Sequence, residues 1–189
     1  FFGGMGDHWN VPACDFDPTG DYDTKIHQTV DFHTQAVREW TADHIRAGVH
    51  STELFADATI DFLRHQHAGD RPFFSYVSFM APHDPRTMPD KFLHLYPADE
   101  IELPANFMSE HPFDNGELTI RDEVLAAHPR SEAETREHLA AYYAMISHVD
   151  HHIGRVLTAL DEEGLRDDTI IVFAGDNGLA VGQHGLFGK

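Results

Sequence analysis

The spacing of apolar positions divides the chain into helical and strand-like stretches. Leu54, Phe55, Ala58, Phe62 and Leu63 recur on one helical face, predicting a helix from Ser51 to about Gln66 with Ser51 as its cap. Gly69 and Asp70 break that period. Phe73 to Met80 is dominated by aromatic and β-branched residues and predicts a strand that Pro82 ends. Residues 82–130 then carry prolines at 82, 85, 89, 97, 104, 112 and 129, the pattern of a long, mostly irregular excursion. An excursion of that length inside a domain is more often functional than idle. From about Glu132 to Glu163, Leu139, Tyr142, Tyr143, Ile146, Val149, Ile153, Val156, Leu157 and Leu160 return to the helical period, and Gly164 is a natural terminator. Thr169 to Ala174 is nearly all apolar, as expected of a strand covered on both faces. Residues 1–24, rich in Gly, Asp and Pro, read as loop, and residues 25–50 show no clean period.

Helix, strand, long loop, helix, strand is an α/β order, so the expected fold is a largely parallel sheet flanked by helices. Ligands of such sheets gather beyond the carboxyl ends of the strands. Both predicted strands end in polar clusters, Ala81-Pro82-His83-Asp84-Pro85 and Gly175-Asp176-Asn177-Gly178, which would share one crevice if the strands are neighbours.

Composition narrows the partners. The chain has 189 residues, 41% of them apolar, enough for one domain with a core of its own. No run of about 18 apolar residues offers a membrane span. Thirteen basic against 32 acidic residues give a formal charge of −19, which disfavours nucleic acid and anionic membranes and suits a hard cation such as calcium. Cys14 is the single cysteine, so no internal disulfide is available.

Three places carry candidate chemistry. Asp176 and Asn177 set a carboxylate beside an amide oxygen, two hard donors for a divalent cation between turn-forming glycines. The same tetrapeptide also fits a plain Asx turn. The Gly-rich segment Gly182-Gln183-His184-Gly185-Leu186-Phe187-Gly188-Lys189 brings a lysine to the end of a loop, as an anionic substrate would require. His83, between two prolines, has a stiffened backbone and suits hydrogen bonding to a substrate oxygen or acid–base work. His184 is a candidate beside the site, and Asp84 and Arg86 are weaker candidates for substrate contact. His148 and His152 stand one helical turn apart, as metal ligands can, but without a glutamate between them they read as a solvated helix face. Tyr142, Tyr143 and Ile146 read as core packing.

These residues together resemble a known family. Phe73 to Pro89 resembles the histidine-bearing strand end of the type I, formylglycine-dependent sulfatases. Tyr142 to Lys189, with Tyr-Tyr-Ala-Met-Ile-Ser-His-Val-Asp, Ile-Gly-Arg-Val-Leu, Gly-Asp-Asn-Gly and Gly-Gln-His-Gly-Leu-Phe-Gly-Lys, resembles their second metal-ligand segment, in the iduronate-sulfatase-like bacterial branch. Phe1 to Pro12 is similar to the stretch after the nucleophile region. The resemblance implies an alkaline-phosphatase-like α/β fold, Asp176 and Asn177 as calcium ligands, and His83 and Lys189 as sulfate contacts. It also implies a sulfate-ester substrate, such as a sulfated carbohydrate, and a periplasmic or secreted parent. A strongly acidic chain would itself repel a sulfated polymer. The family's nucleophile is a formylglycine made within Cys/Ser-x-Pro-x-Arg. That motif is absent here, since Cys14 is followed by Asp15-Phe16-Asp17, and so is the first metal-binding Asp-Asp pair. Residues 1–189 are therefore expected to be an internal part of a single catalytic domain. A phosphonate or phosphate diester hydrolase of the same superfamily, or a non-catalytic calcium- or glycan-binding domain, are the alternatives.

Overall fold

The structure, a computed structural model, describes residues 8, 12–13, 25–30, 37–42, 44–45, 49–66, 71–114, 116–119 and 121–189. Cys14 and most of the first 24 residues lie outside them. Where the sequence shows no clean period, β2 (Lys25–Val30) and β3 (Val37–Ala42) pair antiparallel, with Lys25 opposite Ala42 and Val30 opposite Val37. A shorter antiparallel pair joins β1 (Pro12–Ala13) to β4 (His44–Ile45).

Helix α1 runs Ser51–Gln66, as its apolar period predicts. The cap differs from expectation. Ser51 is the first helical residue, and the His50 imidazole accepts from the Thr52 backbone N–H at 3.2 Å. The proline-rich stretch is mostly irregular, broken by α2 (Asp90–Leu93) and two short 3-10 turns at Ala98–Glu100 and Arg121–Leu125.

Helix α3 (Glu132–Glu162) is the spine of the molecule. At ~1.5 Å per residue it is roughly 46 Å long, and it packs a different partner along each third. Near its start, Leu139 joins Ala126, Val181 and Phe187. In its middle, Ala144 and Met145 join Ala81, Met88 and Phe92. Toward its end, Ala159 and Leu160 join Ile60 and Leu63 of α1. One continuous helix thereby fixes both the segment around His83 and the Gly-rich segment around Phe187. Ser131 caps α3, its hydroxyl accepting from the Glu134 N–H at 3.1 Å. Gly164, at φ +65, lies just past the end.

Two expectations are corrected on α3. His148 and His152, read as a solvated face, are buried, while Tyr143 and Ile146 are exposed. The helical period identifies one stripe, but the stripe that packs here passes through Ala144, Met145, His148 and His152.

The predicted parallel sheet does not form among the described residues. Residues 72–80 and 169–174 carry no ladder, and Phe74, Tyr76, Ile170, Val172 and Phe173 are each more than 80% exposed. No described helix is long and apolar enough to cross a membrane.

Candidate active site

His83 lies on a short turn in which its N–H bonds to the Met80 carbonyl at 3.1 Å. Its Nδ1 is 3.0 Å from the Asp84 carbonyl. A carbonyl can only accept, so Nδ1 carries a proton, and this bond leaves Nε2 uncommitted. Beneath the turn, buried Asp84 faces the Arg86 guanidinium, with Nε 3.3 Å from Oδ1. Arg86 also meets His138 Nδ1 on α3. As the acceptor of that bond, His138 must be neutral, and burial followed by the Arg86 charge holds its pKa below the ordinary imidazole value.

The His138 ring packs edge-on against Phe187 at 5.1 Å, which ties the His83 turn to the Gly-rich loop. That loop is pinned at several points. The Glu123 carboxylate accepts from the N–H groups of Phe187 and Gly188 at 2.9–3.1 Å. Glu123 is itself paired with buried Arg130, whose guanidinium lies 4.7 Å over the Phe187 ring. Gly185, at φ +76, sits so close to the 110–111 backbone that a Cβ would come within 2.7 Å of the His111 nitrogen. His184 takes φ +54 and its ring nitrogen lies 2.9 Å from Asn106 Nδ2. Its carbonyl accepts from His111 Nδ1 at 2.8 Å. His184 thus serves first as an anchor of the loop that carries Lys189.

Lys189, Asp176 and Asn177 are exposed. Asp176 Oδ1 accepts from the Asn177 N–H at 2.9 Å and Asn177 Nδ2 donates to the Gly178 carbonyl at 2.9 Å, an Asx-type turn. The turn and the metal reading are compatible, because these bonds leave Asp176 Oδ2 and Asn177 Oδ1 for a cation. Among the described residues, no hydrogen bond or ion pair joins His83, Lys189 and the Asp176–Asn177 pair to one another. No described group of three or more His, Cys, Asp or Glu residues could hold a metal ion. The donors present fit calcium in kind, as hard oxygens, and fall short of its usual six to eight in number.

Sequence reasoning missed a buried set of imidazoles behind the His83 turn. His8 and His50 stack with ring centroids 5.1 Å apart and planes 2° from parallel. His50 meets His148 edge-on at 4.5 Å, and His148 meets His152 at 4.8 Å. Burial is the main cause that holds His50 down to about 4, His148 to about 3 and His152 to about 4. Only the one-turn spacing of His148 and His152 hinted at it, since His8 and His50 lie far away in sequence. Elsewhere, an open groove of about 670 Å³ between α1 and α3 is lined by Asp57, Asp61, Arg64, Asp150, His151 and Arg155 among others, and none of the predicted site residues borders it.

Comparison with known proteins places the chain in a family. The family model described as "Sulfatase" matches residues 7–189. An arylsulfatase of Clostridium perfringens is 30% identical over 162 residues, covering 85% of this chain and 32% of its own length. Mouse iduronate 2-sulfatase is 31% identical over 148 residues, covering 70% of this chain and 26% of its own length. The crystal structure of YidJ from Bacteroides fragilis superposes with a TM-score of 0.54 at 23% identity, over 86% of this chain and 31% of that one. The chain therefore spans about a third or less of the length of these relatives. The match implies an alkaline-phosphatase-like α/β fold, whose parallel sheet is not formed among the described residues. With nearly its whole length matched, this chain belongs to the sulfatase family.

Proposed function

We propose that residues 1–189 supply one half of the active site of an enzyme that hydrolyses sulfate esters. The observation that carries this reading is the family match across residues 7–189, which includes every candidate residue. Asp176 and Asn177 would hold a calcium ion through their outward oxygens. When bound, calcium supplies Lewis-acid stabilisation of the sulfate oxygens. Lys189, at the end of a loop anchored through Glu123, adds a fixed positive charge against the sulfate group. His83, its Nδ1 proton committed to the Asp84 carbonyl, presents Nε2, which donates to the ester when protonated and accepts a proton when neutral. His184 holds the backbone of the lysine loop and lies beside the substrate. The nucleophile is a formylglycine made in a Cys/Ser-x-Pro-x-Arg segment, which this chain does not contain.

The formal charge of −19 opposes a densely sulfated polymer, so a sparsely sulfated carbohydrate or a small sulfate ester is the preferred substrate class. A periplasmic or secreted parent fits such substrates.

The test is hydrolysis of an aryl sulfate beside an aryl phosphate diester, by a polypeptide carrying residues 1–189 together with a matured Cys/Ser-x-Pro-x-Arg segment. The sulfate should be preferred, and His83→Ala and Lys189→Ala should each lower kcat/KM by about 100-fold. Residues 1–189 alone should show no turnover. Preference for the diester would replace this reading with that of a phosphodiester hydrolase.

A further inference from the structure

We propose that His8 and His50 are positioning residues for the His83 turn: a stacked imidazole pair that grips the backbone carbonyls at its two ends, with His50 held in its neutral form. The purpose given to this grip rests on the sulfatase reading, through His83; the grip itself does not.

The geometry is specific. His8 Nε2 lies 3.0 Å from the His83 carbonyl, and His50 Nε2 lies 3.0 Å from the Thr87 carbonyl. Carbonyls only accept, so each ring carries its proton on Nε2. The far nitrogens fix the pair to the start of α1. His8 Nδ1 meets the Ser51 hydroxyl at 3.0 Å, and the Ser51 N–H donates to the His8 carbonyl at 2.6 Å. His50 Nδ1 accepts from the Thr52 N–H. That bond requires a lone pair, so His50 is held in one neutral tautomer, and a second ring proton would point at an amide proton.

The surroundings reinforce neutrality. Both rings are fully buried. His148, edge-on to His50, has no hydrogen-bond partner for either ring nitrogen among the described residues and packs on Phe92. Among the described residues, the charged and titratable groups that act on His148 and His152 include Lys91 from α2, His151 and Arg155 from α3, and Asp57 from α1. The lysine and the arginine oppose a further positive charge. The carboxylate among these described groups, Asp57, is already paired with Arg155 at 2.7 Å. Burial keeps His50 uncharged down to about pH 4.

The experiment is NMR on residues 1–189 with labelled histidine, combined with amide hydrogen exchange of the His83 turn against that of mid-α3. At pH 7 His50 should show the tautomer protonated on Nε2. His8→Phe and His50→Phe, which keep a stacked ring and lose its bonds, should each speed exchange at the His83 and Thr87 amides by about tenfold, with α3 unchanged. His50→Gln, whose amide can both donate and accept without titrating, should restore slow exchange and remove its dependence on pH. In the unsubstituted chain, exchange at those two amides relative to α3 should accelerate as pH falls toward 4. An Nδ1-protonated His50, a turn unaffected by His50→Phe, or a pH-independent exchange ratio would each overturn the proposal. Should the phenylalanine variants fail to fold, the tautomer and the exchange ratio of the unsubstituted chain decide. No arm depends on turnover, so a failure of the sulfatase reading leaves the result interpretable.

Discussion

The Glu123 carboxylate accepts from the Phe187 and Gly188 amides while facing a guanidinium with no exposed surface, that of Arg130. Removing one member of a buried pair strands the other, at a cost of roughly 3–5 kcal/mol. Glu123→Ala should therefore cost that much in chemical denaturation and free the Lys189 loop, whereas Glu123→Gln should cost less, because an amide oxygen still accepts. The imidazoles make a second prediction at this scale. Each of His50, His148 and His152 has a folded pKa below its unfolded value of about 6.5, so the unfolded chain binds protons first. Their contribution is fully present above pH 6.5 and is lost as pH falls toward 4. The slope reaches at most about 1.4 kcal/mol per pH unit for each histidine. Thermal unfolding between pH 7 and 5 should show a steep fall in Tm that His148→Phe reduces, and a flat profile would contradict the burial of these rings as neutral groups. Of this, only the one-turn spacing of His148 and His152 was legible in the sequence. A histidine's type does not reveal its burial, and His8, His50 and His148 are brought together only by the fold.

At the scale of elements, α1 and α3 were legible because their apolar spacing, starts and stops are local properties. The strand-like runs at 73–80 and 169–174 were legible in composition but not in outcome. A strand ladder depends on neighbours, and no described segment pairs with either run. The β2–β3 hairpin was missed because neither arm alternates cleanly. The Gly-rich loop follows local rules more closely. Gly185→Ala places a Cβ 2.7–2.8 Å from backbone atoms of Glu110 and His111 in a left-handed conformation. The conformation alone costs about 1–2 kcal/mol, and the backbone contact adds to it. We expect faster proteolysis between 180 and 189 in this variant, whereas Gly154→Ala, a helical site with nothing nearby, should leave the loop unchanged. Ser131→Ala should cost about 1 kcal/mol by removing the α3 cap, as read from the change in urea midpoint.

For the whole molecule, the exposed apolar residues and the acidic charge lead to separate expectations. Phe74, Tyr76, Ile170, Val172 and Phe173 present bare apolar surface. The chain should therefore bind a hydrophobic dye in its folded state. Replacing Ile170 and Phe173 by Asn should dim that signal without lowering Tm, since neither residue is packed; a lower Tm would show that they are. The candidate site was half legible. The Asp176–Asn177 pair and the Lys189 loop could be read as motifs, while the anchoring of that loop by Glu123, Arg130 and His111 could not. The proposed half of a calcium site at Asp176 and Asn177 is tested most directly by calorimetric titration of residues 1–189 with calcium. Two outward oxygens against the six to eight that calcium prefers predict affinity no tighter than about millimolar at physiological salt, scarcely altered by Asp176→Ala. Micromolar binding abolished by Asp176→Ala would contradict the account and identify the chain as a complete calcium-binding domain.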